Sequence, residues 1–187
     1  MSAPHPLAQR LIERLQSVPG RRILDFASGS GRNRETLERA GFAVVAVDDR
    51  TAISSAPLAG ITQSFAAAIS THGLLHGVPS AIATNVRSIA ERLDRSGLLY
   101  ATFGSTRDAR FGNGLRIDAS TFAPIDGDEQ GVAHAYFDRE QLRSLLAPYL
   151  EIESLDEHDV DAIAAKSAHR ARPLAGAVHW FVIARKA

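Results

Sequence analysis

The segment Ile23-Leu24-Asp25-Phe26-Ala27-Ser28-Gly29-Ser30-Gly31-Arg32-Asn33 brings an acid, two glycines and a cation close together along the chain. Gly29 and Gly31 make a bend without side chains, so a ligand can press against the backbone. A helix that starts at such a bend directs its first N–H groups at the ligand and favours a negative group there. Asp48 follows 17 residues past Gly31, with Asp49 beside it. A carboxylate in that place can accept both hydroxyl hydrogens of a ribose. Together these residues suit a nucleoside that carries a charged tail.

Two cofactor chemistries share this layout. The dinucleotide fingerprint Gly-x-Gly-x-x-Gly needs a third glycine where this chain has Arg34, and Asp25 would repel a pyrophosphate. A zwitterionic amino acid tail tolerates the acid: its carboxylate can face the helix start and Arg32, its ammonium Asp25. The acid-first loop therefore favours an aminoacyl nucleoside over a nicotinamide dinucleotide.

Further along, His72 and His76 are four residues apart, a metal-binding spacing on a helix. Gly73 and the strand-to-loop transition weaken that helix, and no third ligand lies at a recognisable spacing. No metal site is expected. The Gly- and Asp-rich stretch 104–131 has no periodicity, and a structureless stretch of that length inside a compact domain is usually functional. His134 and Tyr136 follow it; Phe111, Asn113 and Arg116 belong to it.

The elements that must hold these residues alternate. Leu7, Leu11, Ile12 and Leu15 predict an amphipathic helix within residues 1–19, ended by Pro19-Gly20. Residues 21–26 and 42–47 read as buried strands around a helix at 33–40, a compact βαβ unit with a right-handed crossover. Residues 51–63 read equally as short helix or loop. Residues 64–71 and 97–103 predict strands, 80–94 a helix between them, and 138–146 a helix opened by a capping box from Asp138 to Gln141. Residues 149–154 and 177–184 are the last two strands, the final one expected to insert antiparallel. This pattern predicts a doubly wound α/β fold with a mostly parallel sheet, and a ligand at the C-terminal strand ends near the point where strand order reverses.

Composition narrows the partners. The 187 residues suit one domain, 1–187. The 21 Lys and Arg balance 21 Asp and Glu, so the basic excess of a nucleic-acid binder is lacking. No cysteine is present, which removes disulfides and thiolate chemistry and fits a cytoplasmic setting. The start of the chain lacks a signal-peptide core, and no apolar run approaches the roughly 20 residues needed to cross a bilayer.

Asp25-x-Ala27-x-Gly29-x-Gly31-Arg32-Asn33 followed by Asp48 resembles the first two motifs of the class I S-adenosylmethionine (SAM)-dependent methyltransferases, especially their small tellurite-resistance-like group. Ile69-Ser-Thr-His72-Gly-Leu-Leu-His76 is similar to the family's fourth-strand motif, residues 95–103 to its fifth strand, and residues 179–185 to its last. The resemblance implies the Rossmann-like methyltransferase order 3-2-1-4-5-7-6, with strand 7 antiparallel. It implies SAM as cofactor, held by Asp25, Ala27, Ser28, Gly29, Gly31, Arg32, Asn33, Asp48, Asp49, Thr71 and His72. It also implies a small-molecule methyl acceptor against Leu75, Asn113, Arg116 and Tyr136, under an insertion at 104–137. His76 and His134 are the candidate bases.

Two departures from the family pattern carry expectations. Ala27 stands where glycine is usual, so the bend must tolerate a β-carbon. Only 15 residues separate Asp49 from Phe65, too few for the usual helix, third strand and adenine-contacting loop. Strand 3 is therefore expected to be reduced or missing, leaving an exposed strand edge that favours pairing into a homodimer. The competing expectation is a non-catalytic binding or assembly module that has lost part of its adenine pocket.

Overall fold

The computed structural model describes residues 3–15, 20–48, 58–161 and 175–187. The central sheet runs β2 (Ala43–Val47), β1 (Arg22–Phe26), β3 (Phe65–Ser70), β4 (Leu93–Ser105), β9 (Val178–Lys186), β8 (Leu150–Asp159). The first four strands are parallel, and β9 lies antiparallel between β4 and β8. In family numbering the described strands run 2-1-4-5-7-6, in agreement from strand 2 onward with the order 3-2-1-4-5-7-6 that the resemblance implies. Among the described residues β2 is the outermost strand on its side. The segment expected to replace the third-strand unit falls partly on residues 49–57, outside those described.

Side chains alternate between the two faces of the sheet, as a pleated strand requires. Leu24, Ala68, Leu99 and Ala101 pack on α3 (Pro79–Arg92) and α4 (Arg139–Leu146) through Ile82, Val86, Ile89, Leu142 and Leu146. Ile23, Ala67, Ile69, Leu98 and Tyr100 face α1 (Pro6–Leu15) and α2 (Arg32–Arg39) through Leu7, Leu11 and Leu37. The apolar spacing of α1 buries Leu7, Leu11 and Leu15 on one face. Asp138 caps α4: its carboxylate accepts from Gln141 N at 2.8 Å while the Gln141 side chain accepts from Asp138 N. No helix among the described residues is long and apolar enough to cross a membrane.

The stretch 104–131 is not structureless. It contains β5 (Leu115–Arg116) and β6 (Thr121–Ala123), which pair antiparallel with each other, and β6 pairs antiparallel in turn with β7 (His134–Phe137). Strands of two and three residues are too short to display alternation, which is why sequence periodicity misses them. Strand β4 outruns β3, whose last partner on it is Ala101, and its tip at Gly104 and Ser105 takes up β7 at Tyr136 and Phe137. A β-carbon on Gly104 would lie 2.5 Å from Ala135 O, so this junction needs glycine. The three-stranded ribbon thus stands over the C-terminal end of β3.

Candidate functional site

The chain leaves β1 through Ala27, whose φ of 58° is left-handed, as are those of Gly29 (49°) and Gly31 (73°). Ser28 N donates to Val47 O at 3.0 Å, so the bend is stitched to the tip of β2. Gly31 is the N-cap of α2 and carries no side-chain cap; a β-carbon there would meet open space. The bend is therefore not plugged by protein. The methyl group that Ala27 adds is housed by Gly73, where a β-carbon would come within 2.2 Å of it. The expectation that the bend must tolerate a β-carbon is met by deleting one across the gap.

A cleft of about 200 Å³ opens at this bend. One wall is Ala27 to Ser30 with Arg32 and Asn33; the other is Thr71 to Gly73, His76 and Glu129. It sits between β1 and β3, where strand order reverses. Asp25 lies beneath it, 1% exposed, and its charge acts on Arg32. Burial lowers the Arg32 guanidinium, and Asp25 opposes that shift.

Asn33 lines the cleft and also serves the structure. Its Nδ2 donates to Thr71 Oγ1 at 2.8 Å, and its Oδ1 accepts from His5 N at 3.1 Å. This clamp ties the approach to α1, the start of α2 and the end of β3 into one support. Asp48 is exposed at the tip of β2 and does not line the cleft; Asp49 lies outside the described residues. Leu75 is buried below the cleft wall. Asn113 donates to Ala109 O within its own loop, and Arg116 to Asp118 O. Tyr136 is buried against Phe111 and Phe122, and burial pushes its phenol up to about 12. The structure does not bring Asn113, Arg116 or Tyr136 to the cleft.

Two groups of histidines meet here. His72, in left-handed conformation (φ 70°), donates its N–H to Thr102 Oγ1 at 2.8 Å. Its ring lies edge-on to His5 (5.8 Å) and His179 (5.0 Å). Burial, with help from Arg32 and the neighbouring rings, lowers His5 to about 3. Burial and Arg110 lower His179 to about 4, and His72 shifts the same way, chiefly through burial.

The second group is His76, His134 and Glu129. The two histidines form an antiparallel β-bridge, their rings 4.9 Å apart and perpendicular. Glu129 lies 3.5 Å from His76 Nε2 and 3.1 Å from His134 Nε2. Sequence reasoning paired His76 with His72 and missed Glu129, which lies 53 residues past His76 in a loop where nothing in the spacing marks it. His5 was likewise unmarked.

No protein-family model matches the chain, and no curated protein matches it in sequence. Solved structures do. The fold is that of the SAM-dependent methyltransferases: a Rossmann-like, mostly parallel α/β sheet whose last strand inserts antiparallel. A SAM-dependent methyltransferase from Methanosarcina mazei superposes with a TM-score of 0.74 at 16% identity, covering 98% of each chain. The Burkholderia thailandensis 1,6-didemethyltoxoflavin-N1-methyltransferase, solved with its namesake compound and S-adenosylhomocysteine, gives 0.66 at 19% identity over 97% of this chain and 77% of that one. The magnesium protoporphyrin IX methyltransferase of Synechocystis, solved with SAM, gives 0.58 at 13% identity over 97% and 80%.

Proposed function

We propose that the chain, as one domain with residues 104–137 as its substrate-side insertion, is a SAM-dependent methyltransferase of the small tellurite-resistance-like group acting on a small-molecule acceptor. The observation that carries this reading is the open glycine bend at the strand-order reversal. It has a buried acid beneath it and a cation beside it, in a fold whose solved examples hold SAM or its product.

The residues fit that cofactor in charge and place. Gly29 and Gly31 let an aminoacyl tail lie on backbone, Arg32 and the first N–H groups of α2 face its carboxylate, and Asp25 complements its ammonium. Asp48, with Asp49, takes the ribose hydroxyls; Thr71 and His72 close the opposite wall. The cleft of about 200 Å³ is smaller than the usual 300–1,000 Å³ of ligand sites, so it accounts for the tail and not the adenine. Bound there, SAM supplies a sulfonium methyl, whose carbon bonds to an acceptor lone pair as the C–S bond breaks and its electrons stay on sulfur.

The protein's own share is positioning and exclusion of water, which can supply up to roughly 7–11 kcal/mol of the barrier. A protonated acceptor also needs a base. His76 lines the cleft and can take that proton, with His134 and Glu129 packed behind it to hold its ring. Leu75, in the turn after β3, and Asn113, Arg116 and Tyr136, in the insertion, do not line the cleft and would act on an acceptor only through the shape of those segments.

Calorimetric titration with S-adenosylhomocysteine tests the reading. Saturable binding that weakens when Arg32→Ala is introduced is the expected result. No binding at millimolar ligand would leave the fold serving as a non-catalytic module, the reading the small cleft favours.

A further inference from the structure

We propose that His76, His134 and Glu129 form a binding site for a divalent transition cation of the Zn²⁺ type in the wall of the cleft. One ligand atom from each lies within 4.8 Å of the others. Around a tetrahedral ion with bonds of about 2.0–2.2 Å, ligand atoms stand about 3.4 Å apart. Glu129 offers its Oε1 to His76 Nε2 at 3.5 Å and its Oε2 to His134 Nε2 at 3.1 Å, so each imidazole has a carboxylate oxygen near that spacing.

Hydrogen bonding around the rings points the same way. His134 Nδ1 lies 2.8 Å from Val132 O, which can only accept, so Nδ1 must carry a hydrogen. In the neutral ring Nε2 is then a bare lone pair, yet it faces a carboxylate oxygen at 3.1 Å. A lone pair turned on a carboxylate calls for a positive charge between them, supplied by a metal ion or by a second proton on the ring, and titration with Zn²⁺ separates the two. His76 Nε2, buried and making no hydrogen bond, turns to the same carboxylate. A backbone carbonyl fixing the outer nitrogen of a ligating histidine is also the usual support of such sites.

The frame is built before any ion arrives. Besides the bridge between His76 and His134, Gly77 N donates to Ala133 O at 2.7 Å. The Glu129 loop is closed by Val132 N on Glu129 O (3.0 Å) and Gly131 N on Pro124 O (2.9 Å). Two imidazoles and a carboxylate, in a chain without cysteine, suit a borderline cation rather than Mg²⁺ or Ca²⁺. Because His76 and Glu129 line the cleft, the ion's remaining position opens into it, as in catalytic rather than closed structural sites.

Taken together with the methyl-transfer reading, on which this clause alone rests, that position selects acceptors that offer an oxygen donor. With the His76 lone pair on the ion, coordination replaces proton abstraction as the way to activate a hydroxyl; its proton leaves to solvent and the bound oxygen takes the methyl.

Binding is measured on the full chain, first stripped with chelator, by calorimetry with Zn²⁺ and by the visible absorption of bound Co²⁺. The expected result is one site per chain and the intense bands of low-coordinate Co²⁺. Glu129→Gln, which keeps shape and removes charge, should weaken Zn²⁺ by at least tenfold, the smallest loss usual even for an outer-shell partner. His158→Gln, outside the set, should leave it unchanged. Because His134 is buried, the test rests on Glu129→Gln and His76→Gln, with circular dichroism confirming the fold. No Zn²⁺ binding, or binding that both variants retain, overturns the proposal and identifies His134 as a ring protonated against Glu129. The S-adenosylhomocysteine titration on the same samples fails or succeeds separately.

Discussion

His5, His72 and His179 sit on one side of the short turn Gly73–Leu75, His76 and His134 on the other, and the two groups differ in what faces their nitrogens. In the first, donors face His5 and His179, although the Asp108 carboxylate also stands 3.9 Å from His179 Nε2. Leu7 N donates to His5 Nδ1 at 3.2 Å, and the Arg110 guanidinium stands 3.3 Å from His179 Nε2. Those rings are neutral acceptors, and burial with nearby guanidinium charge keeps them so. In the second group acceptors face the nitrogens: a carbonyl on one side of His134 and a carboxylate shared with His76 on the other. Proximity of imidazoles alone therefore says little. The sign of the surrounding partners separates a packed cluster from a ligand set.

The comparison breaks most readily with acid. The folded values of His5 and His179, about 3 and about 4, lie below the ordinary 6.5, so between those limits the unfolded chain binds protons that the folded chain refuses. Their stabilising effect is full above pH 6.5 and is lost as pH falls towards those values, at about 1.4 kcal/mol per pH unit for each ring. The unfolding free energy from denaturant titration should drop by roughly several kcal/mol between pH 7 and 5, with the midpoint falling accordingly. His179→Phe should flatten that slope, and a midpoint unchanged over the range would show that the first cluster is not held neutral.

Zinc is expected to act only on the second cluster. At a hundredfold excess over the dissociation constant it should add about 2.7 kcal/mol to stability, seen as a raised melting temperature in the wild type and not in Glu129→Gln. An equal rise in His72→Gln would keep the two clusters distinct.

Gly73 divides them. Its replacement by alanine sets a methyl 2.2 Å from Ala27 Cβ and 2.8 Å from Ser70 Oγ, and overpacking of this kind costs about 1–3 kcal/mol. Ala27→Gly in the same chain should recover much of the loss in a double-mutant cycle. Additive losses would mean that the two methyls do not compete for one space.

The smallest expected effect is on the cleft's rim. Asp48→Ala should weaken S-adenosylhomocysteine binding about tenfold, near 1.4 kcal/mol, with melting unchanged. Equal affinities by calorimetry remove Asp48 from the nucleoside site.

What was legible in the sequence was local or periodic. The bend at Gly29 and Gly31, the Asp138 capping box and the succession of strands and helices follow from short-range chemistry and from runs long enough to show a period, while the order of strands in the sheet comes from the family resemblance. Much of the site was not. Asn33 reads as a ligand contact because it opens a helix after a glycine bend, yet its amide is committed to His5 and Thr71, residues far off in the chain. Glu129 reaches the histidines only because two very short strands fold the insertion back over β3. Ala27 looks like a defect until Gly73 is placed opposite it. Each is a relation between distant segments, and spacing carries no record of it.

The grafting of β7 onto the overhanging tip of β4 bears on how anything gets in. The roof above the bend shares ladder pairs with the sheet's central strand, and Thr106 N donates to Phe137 O just beyond them. A trapdoor swinging at that seam would have to tear main-chain bonds that also run to β9 through Gly104. Among the described residues the ribbon is thus pinned to the sheet at this seam, and on the methyl-transfer reading proposed above an acceptor would be sorted at the turns that join its strands and not by a hinge.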